Sequence, residues 1–237
     1  MAEMVTEGAS SIMATATKNG KGSRSGVPVP STDSPAAEIQ ISRIAAETIR
    51  VPILGTTPLL MHRFSEKAKR QMLDTMQGRK SPKEPKNPEA EYESAFYRLE
   101  DGTPGFPVLA FKDATIGGAR YYGSQVTMTG LRQCLFFRGE VGDDGRALTR
   151  IIGDPRMRED VVKVGRNGSD LRYRPEFREW EAFLDLTYVT SALTRDSVLS
   201  LIDAGGMGVG VGEWRPEKNG DFGTYRINPD KEVEVIA

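Results

Sequence analysis

The sequence predicts an α+β chain built on a mostly antiparallel sheet, with helices packed on one face. Three observations lead there. Short apolar runs at Cys134–Phe137, Leu148–Ile152 and Asp160–Gly165 are broken at Gly142–Gly145 and Gly153–Pro155, the pattern of an antiparallel meander. The last third reads strand, helix, glycine-rich stretch, strand. No apolar run approaches the roughly 18 residues of a membrane span, so the chain is expected neither to cross nor to bind a membrane.

The 237 residues, 38% of them apolar, suffice for one sizeable core. Residues 1–40 are rich in Ala, Ser, Thr, Gly and Pro and carry too few large apolar side chains to offset the entropy of ordering them. They are expected to form a disordered tail ahead of a single domain over 41–237. The domain is expected to carry insertions near 78–105 and 136–170.

Within the domain, Glu47–Leu54 crowds β-branched residues and reads as the first strand, with Pro52 predicting an edge position or a bulge. From Ser65, an N-cap residue, Ala68, Met72, Leu73 and Met76 recur at helical spacing until Gly78. The proline-rich stretch from Arg79 to Glu91 has no apolar residue before Ala90 and reads as a mobile loop or a projecting insertion. A short strand, a turn at Asp101-Gly102 and a second strand ending at Phe106-Pro107 follow. Phe111–Tyr122 reads as a short helix, where the paired Gly117 and Gly118 imply close approach of another backbone. Trp180–Val189 alternates as a strand. Thr194–Asp196 caps a helix through Ala204, and Gly223–Ile227 closes the domain as a strand.

Composition narrows the chemistry. Lys and Arg total 32 against 33 Asp and Glu, a net charge of -1, so a nucleic-acid site has to come from local clustering. Cys134 and His62 are the single cysteine and histidine, which excludes an intramolecular disulfide and a Cys/His zinc site. No metal site and no cofactor are expected, and a reducing, cytoplasmic compartment fits.

Three segments stand out as candidate binding elements. Ala204–Tyr225 holds Gly205, Gly206, Gly208, Gly210, Gly212, Gly220 and Gly223 without a Walker or dinucleotide signature. It reads either as a backbone cradle for phosphates, helped by Arg215 and Lys218, or as a packed turn. Phe106–Arg120 places Lys112 and Arg120 eight apart, near one face of an unbroken helix. Arg150–Arg178 interleaves arginines, among them Arg158, Arg172 and Arg174, with Tyr173 and Phe177, a mixture that suits single strands, held by cations on phosphates and aromatic faces under bases. The equal alternative is a charged surface ribbon. His62 is a candidate general base.

The strand, helix, glycine loop and strand, preceded by FPVLAFKDATIGGARYY, resemble the RAMP superfamily of RNA-binding proteins. Phe106, Pro107, Phe111, Lys112, Ala114 and Arg120 lie loosely on its helix-opening segment and Gly208–Gly223 on its glycine loop; Leu109-Ala110 replaces the usual serine pair. The stretches MHRFSEKAKRQM, DPRMRED and GVGEWRPEKNGDFGTY are also similar to bacteriophage and prophage proteins. The resemblance implies a ferredoxin-like, RRM-like fold in a stand-alone phage member that binds single-stranded DNA or RNA, in phage DNA or RNA metabolism or in counter-defence, and is expected to assemble along the strand as a homo-oligomer. Together with the charged segment read above, the residues expected to bind are Lys112, Arg120, Arg158, Arg172, Tyr173, Arg174, Arg215 and Lys218, with Gly208, Gly210 and Gly212 shaping the loop. No catalytic residue is assigned; the alternatives are a metal-independent endoribonuclease using His62 and a phage assembly protein without a nucleic-acid ligand.

Overall fold

The computed structural model describes residues 41–79, 85–164 and 168–236. The expected N-terminal tail, residues 1–40, lies outside them.

Strand β1 (Ala46–Gly55) turns at Thr56–Pro58 into β2 (Leu59–Leu60). Helix α1 (Glu66–Met76) begins where predicted, with the Ser65 hydroxyl accepting from Ala68 N–H at 3.1 Å, and ends before Gly78 at φ 70°. It buries none of its residues, so Met72, Leu73 and Met76, which recur at helical spacing, make an exposed apolar flank. Helix α2 (Pro88–Ser94) occupies part of the segment read as a loop, a correction whose signal was the N-cap Asn87 followed by Pro88 at the first helical position. Residues 80–84 lie outside the described residues.

Strands β3 (Tyr97–Arg98) and β4 (Pro104–Pro107) flank the expected turn. Helix α3 (Val108–Gly117) starts earlier than its sequence suggested and tightens into a 3₁₀ segment over Gly118–Gln125. A helix missed in the sequence, α4 (Met128–Cys134), precedes β5 (Leu135–Arg138) and β6 (Glu140–Val141). The meander continues through β7 (Ala147–Ile152), the ten-residue arms β8 (Pro155–Val164) and β9 (Gly168–Phe177), and β10 (Glu181–Val189). Helix α5 (Arg195–Gly208), β11 (Tyr225–Ile227) and β12 (Glu234–Val235) complete the chain.

The order β1, α3, β5, β10, α5, β11 is a β-α-β-β-α-β unit, and its strands lie β11-β1-β10-β5, all antiparallel. This is the ferredoxin-like arrangement. At its far end β10 also pairs β7, which carries β4 and β3 outward, while β2, β9 and β8 form a separate three-stranded sheet.

Alternation along β1 and β10 turns Ile49, Val51, Ile53, Ala182, Leu184, Leu186 and Tyr188 to one face, where α3 and α5 cover them. The helices cross at glycines: a Cβ on Gly118 would stand 2.7 Å from Leu201 O, and one on Gly205 2.3 Å from Ala114 O. The close approach implied by the Gly117-Gly118 pair is realised. Pro52 sits in the interior strand β1, not at an edge. Its carbonyl accepts from Asn228 N–H in the gap between the β11 and β12 pairings, so the missing proline N–H removes no ladder bond. Among the described residues no helix is long and apolar enough to cross a membrane.

Candidate nucleic-acid interface

The register of the β8–β9 hairpin puts Arg158 opposite Arg174 and Asp160 opposite Arg172, which brings these four side chains to one face. Arg174 is fully buried. Its Nη2 donates to Asp160 Oδ2 at 2.6 Å, its Nη1 lies 3.6 Å from Glu213, and its guanidinium stacks 4.8 Å from the Trp214 ring. Arg158 bonds Asp160 at 2.9 Å and Glu176 at 2.8 Å and stacks 5.0 Å from Phe222. Arg174 is therefore corrected from a phosphate contact to an internal cation, because its charge is spent beneath Trp214. Arg158 is part-exposed but carries two carboxylates.

The glycine segment is packed, not open. Gly205, Gly206 and Gly208 belong to α5, and the chain leaves the helix only after Val209. A Cβ on Gly208 would meet Tyr121 Oη at 1.8 Å, and on Gly212 Leu60 O at 2.6 Å; Gly210, at φ 68°, faces Pro216 Cδ at 2.9 Å. These three glycines admit protein, so their expected role beside phosphates is replaced by one in packing. Backbone bonds Val211 N–H to Gly223 O, Glu213 N–H to Leu60 O and Phe222 N–H to Trp214 O lock the loop. Trp214 takes a left-handed φ of 51° to lie on the arginines. Arg215 donates to Glu217 and to Gly212 O, and Lys218 is exposed on a 3₁₀ turn over Pro216–Lys218.

Two cavities flank this clamp, and His62 lines both. A cleft of about 350 Å³ between the start of α3 and the glycine segment holds Asp113, Glu213 and Glu217 against Arg215, a poor lining for phosphate. A groove of about 900 Å³ runs between α1, α2 and β9, and Arg172, Tyr173 and Phe64 are among the residues that line it. Its other arginines are occupied: Arg63 by Asp143 at 2.8 Å and Arg98 by Glu93 at 2.6 Å. Lys86 bonds Asp170 at 2.6 Å. Arg172 is held loosely, 4.0 Å from Asp170 and about one-third exposed. The Tyr173 hydroxyl bonds Glu159 across the hairpin, which raises its pKa above the ordinary phenol value.

Burial lowers the His62 pKa below its ordinary value, with Arg172 and Arg174 adding to the effect against the opposing pull of Glu213. The imidazole is neutral at pH 7, and its buried Nδ1 has no hydrogen-bond partner. Phe64, exposed on the groove, was missed in the sequence, although an aromatic directly beside the helix cap Ser65 is its signal.

Lys112 and Arg120 do not share this site. The α3 helix ends between them, leaving Arg120 exposed on the 3₁₀ segment, while Lys112 reaches the Phe136 ring, 5.8 Å from its centroid.

No protein-family model and no curated protein matches the chain. Among solved structures, it is similar to Cmr6 from Pyrococcus furiosus, with a TM-score of 0.41 and 9% identity over 78% of this chain and 100% of that one.

Proposed function

We propose that the protein binds single-stranded nucleic acid in the groove between α1, α2 and β9. The observation that carries this reading is that one groove is lined by Arg172, a loosely held guanidinium, and by the rings of Phe64 and Tyr173. A single strand alternates anionic phosphates with exposed π-faces, and this groove offers a partner for each. The strand is taken without strong sequence preference, because stacking and charge read no base edge. Assembly along the strand is part of the proposal, with the exposed Met72, Leu73 and Met76 of α1 as the contact between neighbouring copies. The phage setting implied by the sequence resemblance fits such a stand-alone binder.

Fluorescence anisotropy with labelled single-stranded DNA, single-stranded RNA and duplex DNA at low and physiological salt tests the reading. Salt-sensitive binding to the single strands, weakened in Arg172→Ala and Tyr173→Ala, is expected. Equal affinity of both variants and wild type for every probe would refute it.

One observation favours a second reading. A neutral, part-buried histidine with an unpartnered Nδ1 and an arginine nearby has the parts of a general base for attack by a ribose hydroxyl. Cleavage of RNA in the presence of a chelator, abolished in His62→Ala, would establish it; cleavage that survives the substitution would dismiss it.

A further inference from the structure

The outer strands of the two sheets are short, with one exception. β2, β3, β6 and β12 span two residues each, β11 three and β5 four. β8 forms one side of the three-stranded sheet β2-β9-β8 and runs ten residues, Pro155–Val164. Its register with β9 is unbroken from Pro155, opposite Phe177, to Val164, opposite Gly168, so no bulge twists the edge away, and its one proline stands at the first position. Among the described residues, no hydrogen bond reaches its main chain from the side away from β9. Such an edge is a template for another strand.

The side chains select which strand. When two copies of β8 pair antiparallel, the two-fold axis stands perpendicular to the sheet and keeps its faces, so one residue lies on the axis and residues of like parity meet across it. Centred on any charged residue, the axis sets that charge against its own copy. Centred on Met157, it sets Arg156 against Arg158, and centred on Val162 it pairs no charge of β8 with its opposite. Pro155 and Val164, at the strand ends, leave too little to pair. Centred on Val161, the axis sets Glu159 opposite Lys163 of the second copy, and Lys163 opposite its Glu159. Both side chains are exposed, and among the described residues Lys163 has no carboxylate partner. Glu159 accepts from the Tyr173 hydroxyl, and a carboxylate has further lone pairs for an ammonium. Val161 is 69% exposed and pairs with Leu171 on β9, 37% exposed. Across the axis these two residues and their copies make one apolar strip between the charge pairs.

We propose that β8 is a homodimer edge, on which two copies of the chain pair antiparallel through residues 158–164 about Val161 and join their three-stranded sheets into one of six strands. Main-chain hydrogen bonds supply the affinity of the contact, and the Glu159–Lys163 pairs fix its register. The occupant is a second copy because the pattern is self-complementary; binding of an unrelated peptide does not require the charges of β8 to match β8 itself. The dimer forms without nucleic acid and uses none of the α1 residues, so it does not rest on the strand-binding reading.

The test is sedimentation velocity of the full chain freed of nucleic acid. The wild type is expected to show a reversible monomer–dimer equilibrium by about 100 μM, the affinity range of a small, transient interface. Lys163→Glu sets glutamate against glutamate at both pairs and should raise the dissociation constant at least about tenfold. Val161→Asp, which puts like charges on the axis, should leave monomer. Glu159→Lys/Lys163→Glu reverses both charges, rebuilds both pairs and should restore the dimer. All three positions are exposed, so the variants should melt close to the wild-type temperature, which separates a lost contact from a lost fold. Loss in Lys163→Glu with recovery in the double variant upholds the inference. A wild-type monomer throughout the range overturns it, as does a dimer that Lys163→Glu and Val161→Asp leave intact, since another surface then makes it. Loss without recovery in the double variant also overturns it. Failure of the wild type to bind any oligonucleotide refutes the groove reading and leaves the dimer standing.

Discussion

Replacing Arg174 separates a structural cation from a binding one. Arg174 is fully buried, bonded to Asp160 at 2.6 Å and stacked 4.8 Å from Trp214, and Asp160 is itself only 7% exposed. Removing one partner of a buried ion pair costs about 3–5 kcal/mol, because the other charge is left without compensation. In Arg174→Met the loss falls at the lower end. Asp160 keeps its contacts with Arg158 Nε, at 2.9 and 3.1 Å, and the methionine fills part of the space under the indole. A loss of about 3 kcal/mol corresponds to a melting temperature lowered by roughly 6–12 °C in a chain of this size. Urea titration followed by tryptophan fluorescence measures it, with Trp214 reporting from beside the mutated site. Nucleic-acid affinity, measured well below the transition, should stay within about twofold of wild type. Unchanged stability together with lost binding would refute the reasoning, since it would mean that the guanidinium reaches the ligand.

The helix crossing gives a sharper stability test: Gly205→Ala would set a methyl 2.3 Å from Ala114 O and 2.5 Å from its carbonyl carbon, both backbone, so a loss of about 3 kcal/mol or more is expected in the same urea assay. His62 makes stability pH-dependent. Its folded pKa lies below the unfolded value of about 6.5, so the unfolded chain takes up the proton first; stability is full above pH 6.5 and falls on acidification toward the folded pKa. Melting temperatures between pH 8 and pH 5 should show a downward step in wild type that is smaller in His62→Gln. Arg172→Gln should leave melting unchanged and reduce the salt slope of single-strand binding by about 0.7, the signature of one phosphate contact.

The parts of the fold legible in the sequence were those with strong local signals. Ser65 announced its helix, the alternation in WEAFLDLTYV its strand, and Asp101-Gly102 its turn, because each depends on hydrogen bonds or burial within a few residues. Tertiary packing decided the rest. Gly205, Gly206 and Gly208 look like loop residues in isolation, yet they are helical, since α3, β11 and Tyr121 approach too closely for any side chain. The arginine-rich hairpin could not be divided by composition alone: Arg172 and Arg174 are two residues apart and share a strand face. Only the position of Trp214, arriving from the glycine segment, closes one and leaves the other open. The β8 edge became legible only once the register placed that strand outermost in its sheet.

A chain with 32 cations and 33 carboxylates holds a polyanion only where its carboxylates are occupied elsewhere. The structure does this by pairing. Asp160 and Glu176 are taken by Arg158, Arg174 and Arg178, Asp143 by Arg63, and Asp101 and Glu140 by Arg150. Bonds from Thr103 and Arg150 hold the Asp101 pKa down to about 2, so that pair persists across the physiological range. Each pair is neutral beyond about 10 Å, the screening length at ordinary salt, so the protein projects little long-range field. If the proposed strand binding holds, association is expected to proceed without electrostatic steering, and the salt dependence of affinity to reside in dissociation, where short-range phosphate contacts are broken. In the proposed assembly, weak contacts of this kind would hold a strand best where neighbouring copies support one another, so the proposal predicts that affinity rests on cooperativity more than on charge.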